Sequence, residues 1–520
     1  MCPIVLIDVK SGRLCDGAQR MHTFKSESQF KELVSSMTEH LDDERILQVV
    51  VKYFQYVTFS HVWEGEEPSF QDVNLVGSVW KLNSSPLNEK LKGFCETVRK
   101  DGYRWGWSDT CCINKTISTV LNQSLVMMYK WYEASAATLV RLADIGSPSA
   151  LGDLTRSTWL RRAWTAQELL APKLIRFYDR NWKPYLGDTR SNHKESTEII
   201  QELADATGIA CETITTFNPD DLSVREKLRL ASTRNATVEE DLAYSLIGIF
   251  KSDIRPHYGE REAALGHLLE GIVARSGDVT VLAWAGKPSP YNSCLPASLS
   301  VYSQPPDASP FIEAAELDVR VVALRNSFPQ ADAMLIHDQV TRLPPARFAN
   351  RRLHLPCITF AIKKLVVQDL GSVQENHYRA RVSGIGYVDF RTSNELSSTE
   401  PRRLILVHPW IRALRDPLDR FAWGSTVDHD EDESDLGTVA GPRPTSELPS
   451  QAVPAASMDD YTRALRLVVR LHQPFHALLL QQQPDGEFHR IAAEREIVVP
   501  GLEHRIHFGR DVRVDVVEVL

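Results

Sequence analysis

The chain has 520 residues, of which 43% are hydrophobic and 24% charged, a composition typical of a globular protein of about three domains. Its formal net charge of -9 argues against binding to nucleic acid or to an anionic membrane. The eight cysteines lack the C-x-x-C spacing of a structural zinc site, so we predict reduced thiols and no bound metal. The apolar start is interrupted at Asp8 and no later run has membrane-spanning length, so we expect a cytoplasmic protein without a membrane span.

Residues 50–190 are predicted to form an α/β domain, which follows an N-terminal segment at residues 1–49. Short β-rich runs alternate here with amphipathic runs, a pattern typical of βαβ units around a mostly parallel sheet. The predicted strands are 56–61, 103–109, 137–142 and 174–178. The predicted connecting helices are 87–100 and 120–134.

Two side chains at predicted strand ends are candidate ligand contacts, because ligands bind beyond the carboxyl ends of parallel strands. Asp109 ends the second strand, although it could equally cap the turn that follows. His61 ends the first strand and could reach the same crevice, although a lone histidine is more often a hydrogen-bonded structural residue. A thiol nucleophile at Cys111 or Cys112 has no further support in the sequence, which favours inert buried thiols.

The segment 159–172 is amphipathic at helical spacing, and it carries one carboxylate among aromatic residues. A single helix would place Leu160, Trp164 and Glu168 on one face and would end near Pro172. Glu168 could be a solvated surface carboxylate or the salt-bridge partner of a nearby arginine. The alternative is a carboxylate that takes part in chemistry.

Residues 191–280 are predicted to form a helical extension of the α/β domain. Ser223 and Glu226 stand at the spacing of a capping box, and residues 241–250 form an apolar helical run. Residues 281–427 and 458–520 are predicted to be a β-rich, sandwich-like region.

Within that region the alternating runs lie at 353–365, 378–390 and 465–472. The glycines of Gly384-Ile385-Gly386 predict a turn rather than a dinucleotide site, because the third glycine and the following helix are missing. The run 428–457 is acidic and then rich in proline and serine, and we predict a disordered insertion there. No P-loop, H-E-x-x-H or G-x-S-x-G pattern occurs.

Three blocks of sequence, in order, resemble the fungal heterokaryon-incompatibility (HET) domain. They are 59–63 with 66–70, 107–116, and 159–172. Two further segments are similar to parts of many HET proteins, at 128–132 and at 240–250 with 258–260. The resemblance covers roughly residues 50–275, and it implies a filamentous fungal source and a role in non-self recognition that ends in programmed cell death.

The HET fold is in turn similar to Toll/interleukin-receptor (TIR) domains, so the resemblance implies a TIR- or flavodoxin-like α/β fold. Enzymatic TIR domains cleave NAD with a glutamate in a W-C-x-x-E-L string, which Trp164 to Leu169 resembles. The resemblance therefore implies that Glu168 is catalytic, with NAD as a substrate and no resident cofactor. Substrate contacts are expected from a further group of residues: Asp109, Arg162, Trp164, Trp63 and His61.

Several positions depart from the family pattern, and they leave a catalytically silent adaptor as an open alternative. Glu64 replaces a usual glycine, Asn114 a usual aspartate, and Gln123 a commonly acidic residue. Ser108 replaces a usual aliphatic residue and Ala163 a common glycine. Expected partners are a second copy, through the HET domain, and an unknown protein, through the C-terminal β region.

Overall fold

The computed structural model describes residues 2–35, 43–304, 312, 314–368, 376–396, 403–410, 460–502 and 512–520. By its internal contacts the chain divides into two compact units. The first unit is Met1–Gly271 with Ser298–Ser303, and the second is Ile272–Ala297 with Gln304–Leu520. The predicted disordered insertion at 428–457 lies outside the described residues. Among the described helices, none is both long enough and apolar enough to cross a membrane.

The first unit contains a six-stranded sheet and a series of helices. Its strands are β1 Val5–Asp8, β2 Arg13–Asp16, β3 Tyr56–His61, β4 Trp105–Trp107, β5 Ala137–Arg141 and β6 Ile175–Tyr178. Its helices are α1 Gly17–Ser26, α2 Ser28–Ser35, α3 Asp43–Phe54, α4 Phe70–Val76, α5 Pro86–Lys100, α6 Asp109–Cys112, α7 Ser118–Glu133, α8 Asp153–Arg156, α9 Thr165–Leu170, α10 Thr197–Thr207, α11 Cys211–Thr215, α12 Val224–Ser232, α13 Asp241–Tyr244, α14 Ile247–Phe250 and α15 Ala263–Ser276, the last of which ends in the second unit.

The sheet has the strand order β2-β1-β4-β3-β5-β6. β3 pairs in parallel with both β4 and β5, and β5 pairs in parallel with β6. β1 is antiparallel to β2 and β4, so the N-terminal segment adds two strands to one edge. The predicted mostly parallel sheet is confirmed, and its parallel strands lie in the order second, first, third, fourth.

Helices cover both faces of this sheet. Phe59 stacks on Phe94 of α5 with ring centroids 4.7 Å apart, which places α5 on one face. Thr58 points to the other face, because neighbouring strand residues alternate, and it lies in register with Trp107. Trp107 packs edge-on against Trp131 of α7 at 5.6 Å, so α7 covers this second face. Such burial on both sides explains why all six residues of β3 are buried.

The helix predicted over 159–172 is wrong as a single element. Residues Thr158–Arg161 form a 3₁₀ turn, Arg162 has extended backbone (φ -80°, ψ 142°), and α9 begins only at Thr165. The break arises because Arg162 forms a β-bridge with Asn235, from a distant part of the chain. Leu160, Trp164 and Glu168 therefore do not share one helix face.

The other elements of the first unit differ from prediction mainly at their ends. The second strand is shorter than 103–109, because helix α6 begins at Asp109. In the helical extension, the capping box of Ser223 and Glu226 is present at the start of α12. The predicted apolar helix 241–250 is divided into α13 and α14.

The second unit is β-rich, as predicted. Its strands are β7 Arg347–Ala349, β8 Arg352–Val367, β9 Asn376–Val382, β10 Gly386–Thr392, β11 Leu404–Pro409, β12 Phe475–Gln482, β13 Phe488–Ile491, β14 Ile497–Val499 and β15 Val512–Val519. Its own helices are α16 Ala314–Arg325, α17 Gln330–Thr341 and α18 Asp460–Leu471.

These strands form one sheet whose pairings close on themselves, rather than the two facing sheets of a sandwich. β8 pairs with β11, β11 with β12, β12 with β13, β13 with β15, and β15 again with β8. The long strand β8 can close this ring because both of its edges are paired. Gly384 has φ +72° in the turn between β9 and β10, which confirms the predicted turn.

The predicted strand at 465–472 is instead the end of helix α18. Its buried residues include Leu465, Val468 and Val469, whose three- and four-residue spacing gives an apolar helix face. A short run rich in leucine and valine fits a strand or a buried helix equally well, and here the helical spacing decides.

Candidate functional site

The candidate site lies at the carboxyl end of β3, where the parallel strand order reverses. The connection from β3 leads to β4 on one side, whereas β5 joins on the other. In open α/β sheets this position leaves a crevice that binds ligands. β3 ends with Ser60 and His61, whose side chains alternate between the two faces.

Glu168 is held at this strand end by a chain of hydrogen bonds. The Ser60 hydroxyl donates a short hydrogen bond to Oε2 of Glu168. The indole Nε1 of Trp159 donates to the same hydroxyl oxygen at 2.7 Å. Glu168 is only 8% exposed, and it forms no ion pair within the described part of the chain. Glu168 is therefore neither a solvated surface carboxylate nor the salt-bridge partner of an arginine, and those two predictions are wrong.

The surroundings of Glu168 shift its protonation toward neutral pH. Burial raises the pKa of Glu168 to about 7, against the lowering effect of the Ser60 hydrogen bond. The negative charge of Asp109 also raises this pKa, whereas the positive charges of Arg162 and Arg234 lower it. A carboxyl group that titrates near neutrality at the end of a parallel strand is suited to proton transfer or to stabilising a cation.

His61 belongs to a charged network on the opposite face of β3. Its Nε2 lies 2.8 Å from Oε2 of Glu67, and Nζ of Lys90 donates to Oε1 of the same carboxylate at 2.5 Å. Lys90 also donates to Glu64 at 3.2 Å, and Arg141 donates to Glu64 at 3.0 Å. Four charged side chains and one imidazole thus meet beside the ends of β3 and β5.

The network fixes the charge state of its two central members. Burial lowers the pKa of His61, so the ring is neutral and donates from Nε2. Burial alone would raise the pKa of Glu67, but the His61 hydrogen bond and the Lys90 charge lower it to about 2. Nδ1 of His61 is buried and has no hydrogen-bond partner among the described residues. That nitrogen is an acceptor without a donor among the described residues.

Glu64, which stands where the family pattern has glycine, is part of this network. The left-handed backbone that favours glycine falls on the next residue, Gly65, with φ +70°. The loop therefore keeps its glycine one position later. The departure at Glu64 adds a carboxylate between Lys90 and Arg141.

Asp109 lies beside an exposed tryptophan. Trp63 is 44% exposed, and its Nε1 donates to Oδ2 of Asp109 at 3.0 Å. Nζ of Lys115 lies 3.6 Å from the centroid of the same indole ring. Asp109 thus orients Trp63, and its charge acts on both Glu168 and His61.

The two neighbouring thiols are buried, as the sequence favours. Cys111 has a raised pKa, caused by its hydrogen bond with Cys112 and then by burial, so its reactive thiolate is disfavoured. Cys112 accepts a hydrogen bond from the backbone of Ser108 at 3.4 Å. Among the described residues, no cluster of three His, Cys, Asp or Glu side chains could hold a metal ion.

Arg162 and Trp164 are separated by the break before α9. Nη1 of Arg162 donates to the backbone carbonyl of His61 at 3.5 Å, and its charge acts on Glu168. The Trp164 indole instead lies near Asp241 of α13 and acts on the pKa of that carboxyl, which accepts a hydrogen bond from Tyr258 at 2.8 Å. Trp164 therefore contacts the helical extension rather than standing one helical turn from Glu168.

The structure brings Glu168, Asp109, Arg162, His61 and Trp63 to one end of the sheet, but it directs Trp164 elsewhere. Sequence reasoning missed several residues that complete the site: Ser60, Trp159, Glu67, Lys90, Arg234 and Asp241. Ser60 had one readable signal, since it stands next to His61 at the end of a predicted strand. The others are brought in by distant segments, and no local pattern marks them.

Comparison with known proteins identifies this region. Residues 56–152 match the family model described as "Heterokaryon incompatibility protein (HET)". The chain is 35% identical over 228 residues to the "Vegetative incompatibility protein HET-E-1" of Podospora anserina, a match that covers 42% of this chain and only 16% of that protein. No solved structure matches. The chain therefore contains a HET domain at residues 56–152.

Proposed function

We propose that this chain is a cytoplasmic effector of vegetative incompatibility in a filamentous fungus, and that its HET domain triggers programmed cell death on non-self recognition. The family match over residues 56–152 supports this role, as does the similarity to a protein named for vegetative incompatibility. In this proposal the HET domain associates with a second copy, and the β-rich C-terminal region binds a protein partner.

The fold proposed for the HET domain is TIR- or flavodoxin-like. Its parallel strands have the order second, first, third, fourth, which is the flavodoxin-like order. Helices α5 and α7 lie on opposite faces, as in a doubly wound sheet. In this proposal a ligand binds beside Ser60, Glu168 and the end of β5.

The chemistry proposed for this site is hydrolysis of NAD. The bond between C1′ of the ribose and the nicotinamide nitrogen breaks, and its electron pair neutralises the pyridinium ring. Positive charge develops on the ribose, water adds at C1′, and one proton is released. A fixed carboxylate in a site of low dielectric stabilises that charge more in the transition state than in the ground state.

The observation that carries this proposal is the placement of Glu168. One carboxylate oxygen is fixed by Ser60, while the other accepts no hydrogen bond from any described residue. The free oxygen would face the ribose. Arg162 and Asp109 would position the substrate, His61 would line the site at the end of β3, and Trp63 would stack on an aromatic ring. Trp164 is less suited to stacking, because its indole lies near Asp241 of the helical extension.

Expression in a filamentous fungal host tests the role and separates it from the adaptor alternative. We expect the wild-type chain to kill the host and Glu168→Gln to restore growth, because the amide cannot stabilise a cation. Glu133→Gln, which changes an exposed carboxylate of α7, is the matched control and should kill like the wild type. If Glu168→Gln kills as efficiently as the wild type, a catalytically silent adaptor is the correct function.

A further inference from the structure

The short helix that carries Glu168 cannot hold its own position. α9 has only six residues, and isolated helices of this length are unstable in water. Its N-cap, Trp164, provides no side-chain hydrogen bond to the first turn. The residue before it, Ala163, follows the extended backbone of Arg162. Other parts of the chain must therefore fix where this helix begins.

The segment just after α12 supplies that fixation. The backbone N–H of Ala163 donates to the carbonyl of Asn235 at 2.8 Å, and the N–H of Asn235 donates to the carbonyl of Arg161 at 2.6 Å. These two bonds hold the break from one side. They place the preceding residue, Arg234, directly beside the start of α9.

The guanidinium of Arg234 binds both sides of the break. Its Nη1 donates to the carbonyl of Arg162 at 3.0 Å and to Oγ1 of Thr165 at 2.8 Å. Its Nε donates to the carbonyl of Leu230 at 3.1 Å, which anchors the side chain to α12. Thr165 in turn donates to the carbonyl of Trp159, the residue whose indole binds Ser60. One side chain thus connects the helical extension to the hydrogen bonds that orient Glu168.

Arg234 is only 6% exposed, and none of its bonding partners among the described residues is a carboxylate. Burial lowers the pKa of Arg234 to about 10, and the charge of Glu168 is what opposes this lowering. The two groups therefore stabilise each other's charge without direct contact. A buried cation held by neutral oxygens alone is costly, which indicates a role beyond packing.

We propose that Arg234 is a positioning residue for Glu168, so that the helical extension, beyond the matched family region, is an integral part of the site. Arg234 fixes the start of α9, and through it the direction of the carboxylate. Its role in turnover rests on the proposed NAD chemistry, whereas its role in holding α9 does not. Lysine cannot replace the planar fork that reaches the three oxygens, so Arg234→Lys should recover the charge but only part of the geometry.

The test compares Arg234→Met, Arg234→Lys and the control Arg229→Met, which removes a half-buried arginine of α12 bound to the Gly208 carbonyl. Arg234→Met should increase amide exchange at residues 162–168 at least about 10-fold, and Arg234→Lys by less. Nicotinamide release should fall about 100-fold in Arg234→Met, and its rise with pH should move to higher pH because the charge that lowers the pKa of Glu168 is gone. Arg229→Met should change neither measurement.

The two proposals fail in different ways. If the wild type releases no nicotinamide while Arg234→Met still loosens residues 162–168, the NAD chemistry is wrong and the positioning role stands. If exchange in Arg234→Met or Arg234→Lys equals that of Arg229→Met, the positioning role is wrong, whatever the activity. If Arg234→Met does not fold, the exchange and pH profile of Arg234→Lys decide between the same two outcomes.

Discussion

Replacing Glu168 with glutamine is expected to lower nicotinamide release from NAD by about 1000-fold, because the neutral amide cannot stabilise the cationic ribose. The hydrogen bond from Ser60 can be kept by the amide oxygen, so the site should retain its shape. The measurement is turnover by the purified chain at pH 8, where the wild-type carboxylate is ionised. Release by the variant at the wild-type rate would exclude Glu168 as the catalytic group.

The same variant should be more stable than the wild type at pH 8. The folded-state pKa of Glu168 is about 7, above the ordinary value of 4.5, so the folded state holds this proton more tightly. The free energy of unfolding of the wild type therefore falls as pH rises from 4.5 through about 7, and this fall amounts to about 3 kcal/mol. Glu168→Gln should remove that loss at pH 8 and change little at pH 4. Denaturant unfolding at pH 4 and pH 8 measures this difference in the free energy of unfolding, with Glu133→Gln as the control. A stable Glu168→Gln also shows that its loss of activity is not caused by unfolding.

Replacing Lys90 with methionine is expected to destabilise the HET domain by about 3–5 kcal/mol, because it leaves the buried Glu67 carboxylate without its cation. Lys90 is 3% exposed and donates to Glu67, to Glu64 and to the carbonyl of Val62. Methionine preserves the apolar stem but supplies no donor. Lys100→Met, at an exposed position of the same helix, should change stability by less than about 0.5 kcal/mol.

The loss in Lys90→Met should depend on pH with a defined sign. Burial raises the pKa of Glu67, but the His61 hydrogen bond and Lys90 outweigh it and hold the value at about 2, below the ordinary 4.5. The stabilisation is thus present above pH 4.5 and is lost as pH falls toward 2. Lys90→Met should cost most near pH 7, and the double variant with Glu67→Gln should recover part of that cost. An equal cost at pH 3 and pH 7 would show that the network does not stabilise the fold by charge.

The parallel sheet could be predicted from sequence because its signals are local. Strand β3 is a run of aromatic, β-branched and small residues, and helix α5 has a serine N-cap followed by proline. Such patterns need no information from elsewhere in the chain. The region after Trp159 was mispredicted because its helical pattern is interrupted by a backbone pairing with Asn235, which no local rule contains.

The site could be predicted only in part, for the same reason. Asp109 and His61 are candidates from their positions at strand ends, and Glu168 from the resemblance of residues 164–169 to the TIR string. Ser60 is a small residue inside a strand, and its role depends on Trp159 and Glu168 approaching from another segment. Arg234 and Lys90 look like ordinary surface cations in sequence, yet packing buries both.

The pH dependence of nicotinamide release by the wild-type chain shows directly whether Glu168 is the catalytic group. If the ionised Glu168 carboxylate stabilises the departing sugar cation, kcat/KM should rise with pH, with one proton lost at a midpoint near pH 7, and reach a plateau above pH 8. A profile that stays flat between pH 5 and pH 9, or no release of nicotinamide at any pH, would show that Glu168 does not catalyse NAD cleavage.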